Sequence, residues 1–261
     1  MKPSLPQPPS SVRTPLRGIV VAGLAITLLA TGAQADGNTA AEILKMTGGA
    51  RVRIVWSRWA GNEQVIPGKD TTIYNIVAFD TSDGRERMLA TDTRCKHPMI
   101  TPNGKRVITD DLTLAFRDET KGLPQKIYVM DWTGGKRREL CSGFKAVGVC
   151  EDPPGTEWVM VLDVNNGKVW RHQIDNPSVR ELVWDKTPGS WFWAFTRDGK
   201  RACTGAPWPN VCVVQLPNGS VSPVGGGCAE GIAPDGKHCF HFIQDHAGVM
   251  MHDGPGAPDC Q

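Results

Sequence analysis

Met99-Ile100-Thr101-Pro102-Asn103-Gly104-Lys105-Arg106-Val107 is an apolar strand, an Asn-Gly turn and the start of a second strand. Asn-Gly and Asp-Gly supply the positive φ angles that a tight hairpin turn requires. The pattern returns as Ala194-Phe195-Thr196-Arg197-Asp198-Gly199-Lys200-Arg201-Ala202 and as Gly231-Ile232-Ala233-Pro234-Asp235-Gly236-Lys237-His238-Cys239. A degenerate copy, Asp152-Pro153-Pro154-Gly155-Thr156, lies between the first two. A second hairpin pattern alternates with it: Ile76–Asp80 with Gly84, Ile127–Asp131 with Gly134 and Gly135, and Val211–Gln215 with Gly219. Val169 to Val183 around Asn176 is a weaker version, and Val249 to Gly254 a partial one. From Gly84 to Gly135, Asn176 and Gly219 the steps are 51, 41 and 43 residues. A period of about 40–45 residues with two hairpins per repeat fits a four-stranded propeller blade.

Pro102-Asn103-Gly104-Lys105-Arg106, followed by Ile127-Tyr128-Val129-Met130-Asp131 and Gly134-Gly135, resembles the TolB-type, WD40-like (PD40-type) repeat. That family pairs an "S-P-D-G-K-x-I/L-A-F" hairpin with an "I-Y-V-M-D-x-D-G-G" hairpin. The match is close over residues 97–140, fair over 191–224 and 228–254, and loose elsewhere. The resemblance implies an all-β propeller of four-stranded blades. About five blades are visible where the family usually closes with six. A five-bladed ring, a first segment that lends strands to the last blade, and a fragment of a longer propeller all remain open. The fold by itself does not imply a function. Ahead of the repeats, residues 36–48 read as a short helix with Thr39 as its N-cap.

The first 35 residues read as an export signal, leaving 36–261 as the propeller domain. A basic, proline-rich stretch ends at Arg17, an apolar run extends from Ile19 to about Ala30, and Ala33-Gln34-Ala35 precedes Asp36. The apolar run is shorter than the roughly 20 residues a membrane span takes, so no span is expected after cleavage. A secreted or periplasmic location follows. Without that segment 26 Lys and Arg face 27 Asp and Glu, which moves the formal net charge from +2 to −1. A near-neutral chain lacks the concentrated basic face that nucleic acid requires.

The eight cysteines all lie beyond the signal, an even number that fits disulfides in an oxidising compartment. None forms a Cys-x-x-Cys pair, the signature of zinc ribbons and thioredoxin-type centres. Hairpin spacing predicts bridges Cys203–Cys212 and Cys228–Cys239, with Cys141–Cys150 at the crossing between two blades. Cys95 and Cys260 are left over, either joined across the ring closure or unbridged.

No Gly-x-Ser-x-Gly elbow, P-loop, Rossmann fingerprint or His-Glu-x-x-His motif occurs. Candidate ligand-binding residues are therefore those the ring would gather. Trp208, in Pro207-Trp208-Pro209, is a rigid loop aromatic suited to a peptide or sugar ring. His97 opens the first strand of a blade, where a side chain can face the central channel. His241 and His246 lie in the cluster Cys239-Phe240-His241-Phe242-Ile243-Gln244-Asp245-His246. Oligogalacturonate lyases are related propellers that hold a divalent metal through histidines and a glutamine, so that resemblance marks His241, Gln244 and His246 as candidate metal ligands. Asp110, Asp111 and Asp163 are carboxylates at strand ends. The reading preferred here is an exported, non-catalytic module that binds a protein or glycan, with no cofactor. The alternative is a polysaccharide-active enzyme of the lyase type, using a divalent metal.

Overall fold

The computed structural model describes residues 37–62, 72–111, 125–163, 167–186, 192–205, 209–243 and 248–253. After a single helix, α1 (Gly37–Met46), these residues form eighteen strands in five antiparallel sheets. The first sheet holds β1 (Arg53–Asn62), β2 (Thr72–Asp80) and β3 (Arg85–Thr93). The second runs β4 (Cys95–Ile100), β5 (Arg106–Asp111), β6 (Gln125–Asp131), β7 (Arg138–Gly143). The third is β8 (Lys145–Glu151), β9 (Glu157–Asp163), β10 (Lys168–Gln173), β11 (Arg180–Trp184). The fourth is β12 (Trp193–Phe195), β13 (Arg201–Gly205), β14 (Asn210–Gln215), β15 (Val221–Gly226). The fifth contains β16 (Cys228–Ile232), β17 (His238–Ile243) and β18 (Gly248–Asp253). Every sheet is a meander whose neighbours in sequence are neighbours in space, as the paired-hairpin repeat predicts. Among the described residues no helix is long and apolar enough to cross a membrane.

Repeated hydrogen bonds show which strand of a blade each one is. Past the third strand of the second and fourth blades, the chain donates back to the lysine of the Gly-Lys turn: Trp132 N to Lys105 O, and Leu216 N to Lys200 O. In the first blade Thr81 N donates to Val52 O in the same way. Val52 therefore sits where Lys105 and Lys200 sit, and β1, β2 and β3 are second, third and fourth strands. The segment that would carry a first strand there contains α1 instead. The fifth blade shows first, second and third strands among its described residues.

The core lies between the blades. Because side chains alternate across a strand, each central strand feeds two interfaces. Ile76, Ala78 and Leu89 of blade 1 meet Val107 and Met130 of blade 2. Ile108, Ile127 and Val129 of blade 2 meet Val159 and Val161 of blade 3. Trp158, Met160 and Trp184 of blade 3 meet Trp193, Ala202 and Val214 of blade 4. Cys203, Val211 and Val213 of blade 4 meet Ile232 and Cys239 of blade 5. Trp158, Trp184 and Trp193 thus serve blade-to-blade packing.

Polar links stitch the turn ends of successive blades. Arg53 donates to Gly104 O of the next blade, Arg106 to Glu157 (2.7 Å), and Asn103 N to Glu157 Oε1 (2.8 Å). Glu151 N donates to Arg197 O (2.8 Å), and Arg197 N to Pro234 O (2.7 Å). The turn glycines Gly104, Gly199 and Gly236 all have positive φ (74°, 66° and 71°), as the Asn/Asp-Gly reading required. Gly134, in the second hairpin of blade 2, is constrained twice: φ is 85°, and an added Cβ would lie 2.9 Å from backbone atoms of Leu89 in blade 1. Gly134→Ala is expected to cost about 2 kcal/mol, from left-handed strain and overpacking. Equilibrium urea unfolding checks this.

Two expectations are corrected. Helix α1 begins at Gly37, so Thr39 lies inside its first turn and does not cap it. The three predicted bridges fail on register, and none of the seven described cysteines is bridged in this structure. Cys203 pairs with Val213, while Cys212 pairs with Thr204. The one-residue slip sends the two thiols to opposite faces of the blade, Cys203 towards blade 5 and Cys212 towards blade 3. Cys228 pairs with Phe242, whereas Cys239 pairs with Ile232. That offset is roughly 10 Å along the strand, beyond a bridge's reach of about 7 Å between Cα atoms. Cys141 packs between blades 2 and 3 and Cys150 between blades 3 and 4, so the third sheet separates them. Cys260 lies outside the described residues.

Candidate ligand-binding face

Register puts the starts of the first strands beside the ends of the second strands, at the opposite edge from the Gly-Lys turns. Cys95 pairs with Asp111 and Lys96 with Asp110. In the next blade Lys145 pairs with Leu162, the matching position. Polar residues at these positions face one edge of the blades, where the second strands feed into the third.

His97 sits in a bulge of β4 between Lys96 and Met99, with φ at 48°. The left-handed region is uncommon for a residue with a side chain, and such strain clusters at functional sites. The bulge turns the imidazole back onto β5, where Nδ1 lies 3.3 Å from Asp110 Oδ1. Asp110 is fully buried, whereas the His97 side chain is 42% exposed. A buried carboxylate thereby orients a solvent-facing ring. Asp110 Oδ2 is buried without a hydrogen-bond partner.

Lys145 of the next blade adds a cation to this pair. Burial lowers the pKa of its ammonium group, and the negative charge of Asp110 opposes that shift. Its Nζ lies 5.3 Å from the ring centroid of Phe192, at the start of blade 4's inner strand. Phe192 is more than half exposed. An ammonium held over an aromatic face is a cation–π contact. Beside this group, burial raises the pKa of the Asp111 carboxyl group, while Arg137 and Arg94 act against the rise. Three successive blades thus contribute an oriented imidazole, an ammonium and an open aromatic ring to one edge. That set suits a ligand with an anionic group beside an apolar or sugar surface.

No protein-family model matches the sequence, and no curated protein matches it. The fold does match solved structures. TolB from Acinetobacter baumannii aligns with a TM-score of 0.53 at 16% identity, over 83% of this chain and 54% of that one. A chain of a nidogen/laminin complex aligns at 0.51 and 14%, over 77% and 89%. An oligogalacturonate lyase in complex with manganese aligns at 0.50 and 13%, over 80% and 63%. The chain has the fold of a TolB-like β-propeller. It spans about half to two thirds of the length of that TolB and that lyase.

Within this TolB-like propeller Asp110 joins His97, whereas His241 lies apart from it. His241 is buried in β17 on the side facing blade 4. A Cβ added at Gly225 would come within 2.8 Å of its ring. The ring stacks on His252 at 5.1 Å, with 16° between the planes. Burial and the neighbouring His252 both lower its pKa. Among the described residues no three His, Cys, Asp or Glu side chains are grouped to hold a metal. The expected co-ligands of His241, Gln244 and His246, like Trp208, lie outside the described residues. Lys145, Phe192 and His252 escaped the sequence reading. Aligning the inner strands by their turns brings Lys145 to the register position of Lys96, and that signal was available for Lys145. Nothing local marks Phe192 or His252.

Proposed function

We propose that this chain is an exported, non-catalytic binding module whose TolB-like propeller takes a protein or glycan ligand bearing a carboxylate or similar anion. The observation that carries the reading is the convergence of His97, Lys145 and Phe192 from three blades onto one edge. The Lys145 ammonium would hold the anion beside the oriented His97 ring, and Phe192 would stack against a sugar ring or an apolar side chain. Two of the similar folds come from a complex with a protein partner and from an enzyme named for an acidic polysaccharide, so both ligand classes deserve trial.

An oriented imidazole can also act as a base, and the His97–Asp110 pair is what would favour catalysis. One experiment addresses both possibilities. Purified protein is titrated with oligogalacturonate and with acidic peptides, with and without added manganese, while polymer length and unsaturated product are followed. Saturable binding with the polymer left intact is the expected result. Metal-dependent appearance of unsaturated ends would replace the binding module with a lyase. Export is checked on the same preparation: the secreted species should begin at Asp36, and a protein that retains Met1 would refute cleavage.

A further inference from the structure

The blade repeat places two cysteines against each other. Lys105 and Lys200 are matched by the hydrogen bonds their carbonyls accept, and Glu157 accepts the equivalent bond from Ile174 N. Two residues beyond each comes a side chain facing the preceding blade: Val107, Val159 and Ala202. Three residues beyond comes one facing the following blade: Ile108, Met160 and Cys203. At each interface the forward position of one blade therefore shares a core with the backward position of the next. Ile108 does so with Val159, and Met160 with Ala202. Lys237 occupies the turn position in blade 5, which makes Cys239 its backward residue. At the last of these interfaces the facing pair is Cys203 and Cys239, both essentially inaccessible to solvent.

We propose that Cys203 and Cys239 form a disulfide joining blade 4 to blade 5 when the chain folds in an oxidising compartment. Sheets packed face to face bring such central positions near enough to bridge, as inter-sheet disulfides of β-sandwiches do. The register denies each cysteine the hairpin partner that spacing alone suggested. The oxidant is a disulfide of the glutathione or oxidoreductase class. One cysteine thiolate attacks it and expels a thiol; the second cysteine attacks the mixed disulfide and expels another. Two protein thiols thus become one S–S bond, and the two electrons and two protons leave on the two released thiols. Burial first, and the neighbouring Cys239 next, hold the Cys203 thiol far above its ordinary pKa. Thiolate is therefore scarce once the interface has closed, and the bond forms faster during folding than afterwards.

Full-length protein is refolded with glutathione disulfide, or with a reductant, and then denatured and alkylated. The expected result is selective protection of Cys203 and Cys239 in the oxidised sample. At the reduced form's urea midpoint, the oxidised form should be unfolded on the order of a hundredfold less. Cys203→Ile and Cys239→Val install the residues that blade 2 carries at these positions and so keep the core filled. Each should abolish both the protection of the other cysteine and the stability difference, while Cys212→Ala should leave both intact. Full alkylation of Cys203 and Cys239 after oxidative refolding overturns the proposal. So does a bridge from Cys203 to Cys212, or from Cys239 to Cys260.

Discussion

Asp80→Ala is expected to cost about 3–4 kcal/mol of folding stability, the range for removing one partner of a buried ion pair. Asp80 ends β2 of blade 1, which shows no first strand among the described residues. Its carboxylate is 1% exposed and accepts from Arg51 Nε (3.0 Å) and Nη2 (2.6 Å), Arg53 Nε (2.8 Å) and Ser82 N (2.9 Å). Arg51 is half exposed and can find water once Asp80 is gone, but Arg53 is mostly buried and cannot do so fully. Arg53 also donates to Gly104 O, so the damage would reach blade 2. Asp80→Asn preserves the shape and isolates the charge.

The same group sets an acid limit. The hydrogen bond from Arg51, above all, holds the Asp80 carboxyl far below the usual carboxylate range, against the opposing effect of burial. The folded state then binds this proton less readily than the unfolded state does. Its stabilisation is complete above the unfolded value near 3.9 and is lost as pH falls from there towards the lowered folded value. Urea midpoints measured from pH 7 down to pH 3 should fall more steeply for the native protein than for Asp80→Asn. Parallel curves would show that the ion pair contributes nothing.

The second large effect concerns binding. Lys145→Ala removes the cation on the ligand-facing edge, and His97→Ala removes the ring that Asp110 orients. Each is expected to weaken the anionic ligand at least tenfold, about 1.4 kcal/mol, with little change in unfolding midpoint because both side chains are partly exposed. Asp110→Asn should weaken binding through His97, by losing the carboxylate that orients the ring. Rescue of affinity in Lys145→Arg but not Lys145→Met would show that the charge matters and not the packing. Unchanged affinity in both His97→Ala and Lys145→Ala would place the ligand elsewhere on the propeller.

The blades are legible in the order of residues alone. Asn103-Gly104, Asp198-Gly199 and Asp235-Gly236 can hardly adopt anything but tight turns, and the alternation between them permits only strands. These are local constraints, set by φ angles and side-chain period. That order also marked His97 as the residue opening an inner strand, since the strand's start was readable from the turn behind it. What it could not determine was register, because one residue of slip changes no local preference yet reverses every face. That is why Cys203 was expected opposite Cys212 and instead lies against the neighbouring blade, facing Cys239. The binding edge was hidden for a related reason. Asp110, Lys145 and Phe192 come from three blades, and only the packing of sheet against sheet brings a buried carboxylate, an ammonium and an open ring together.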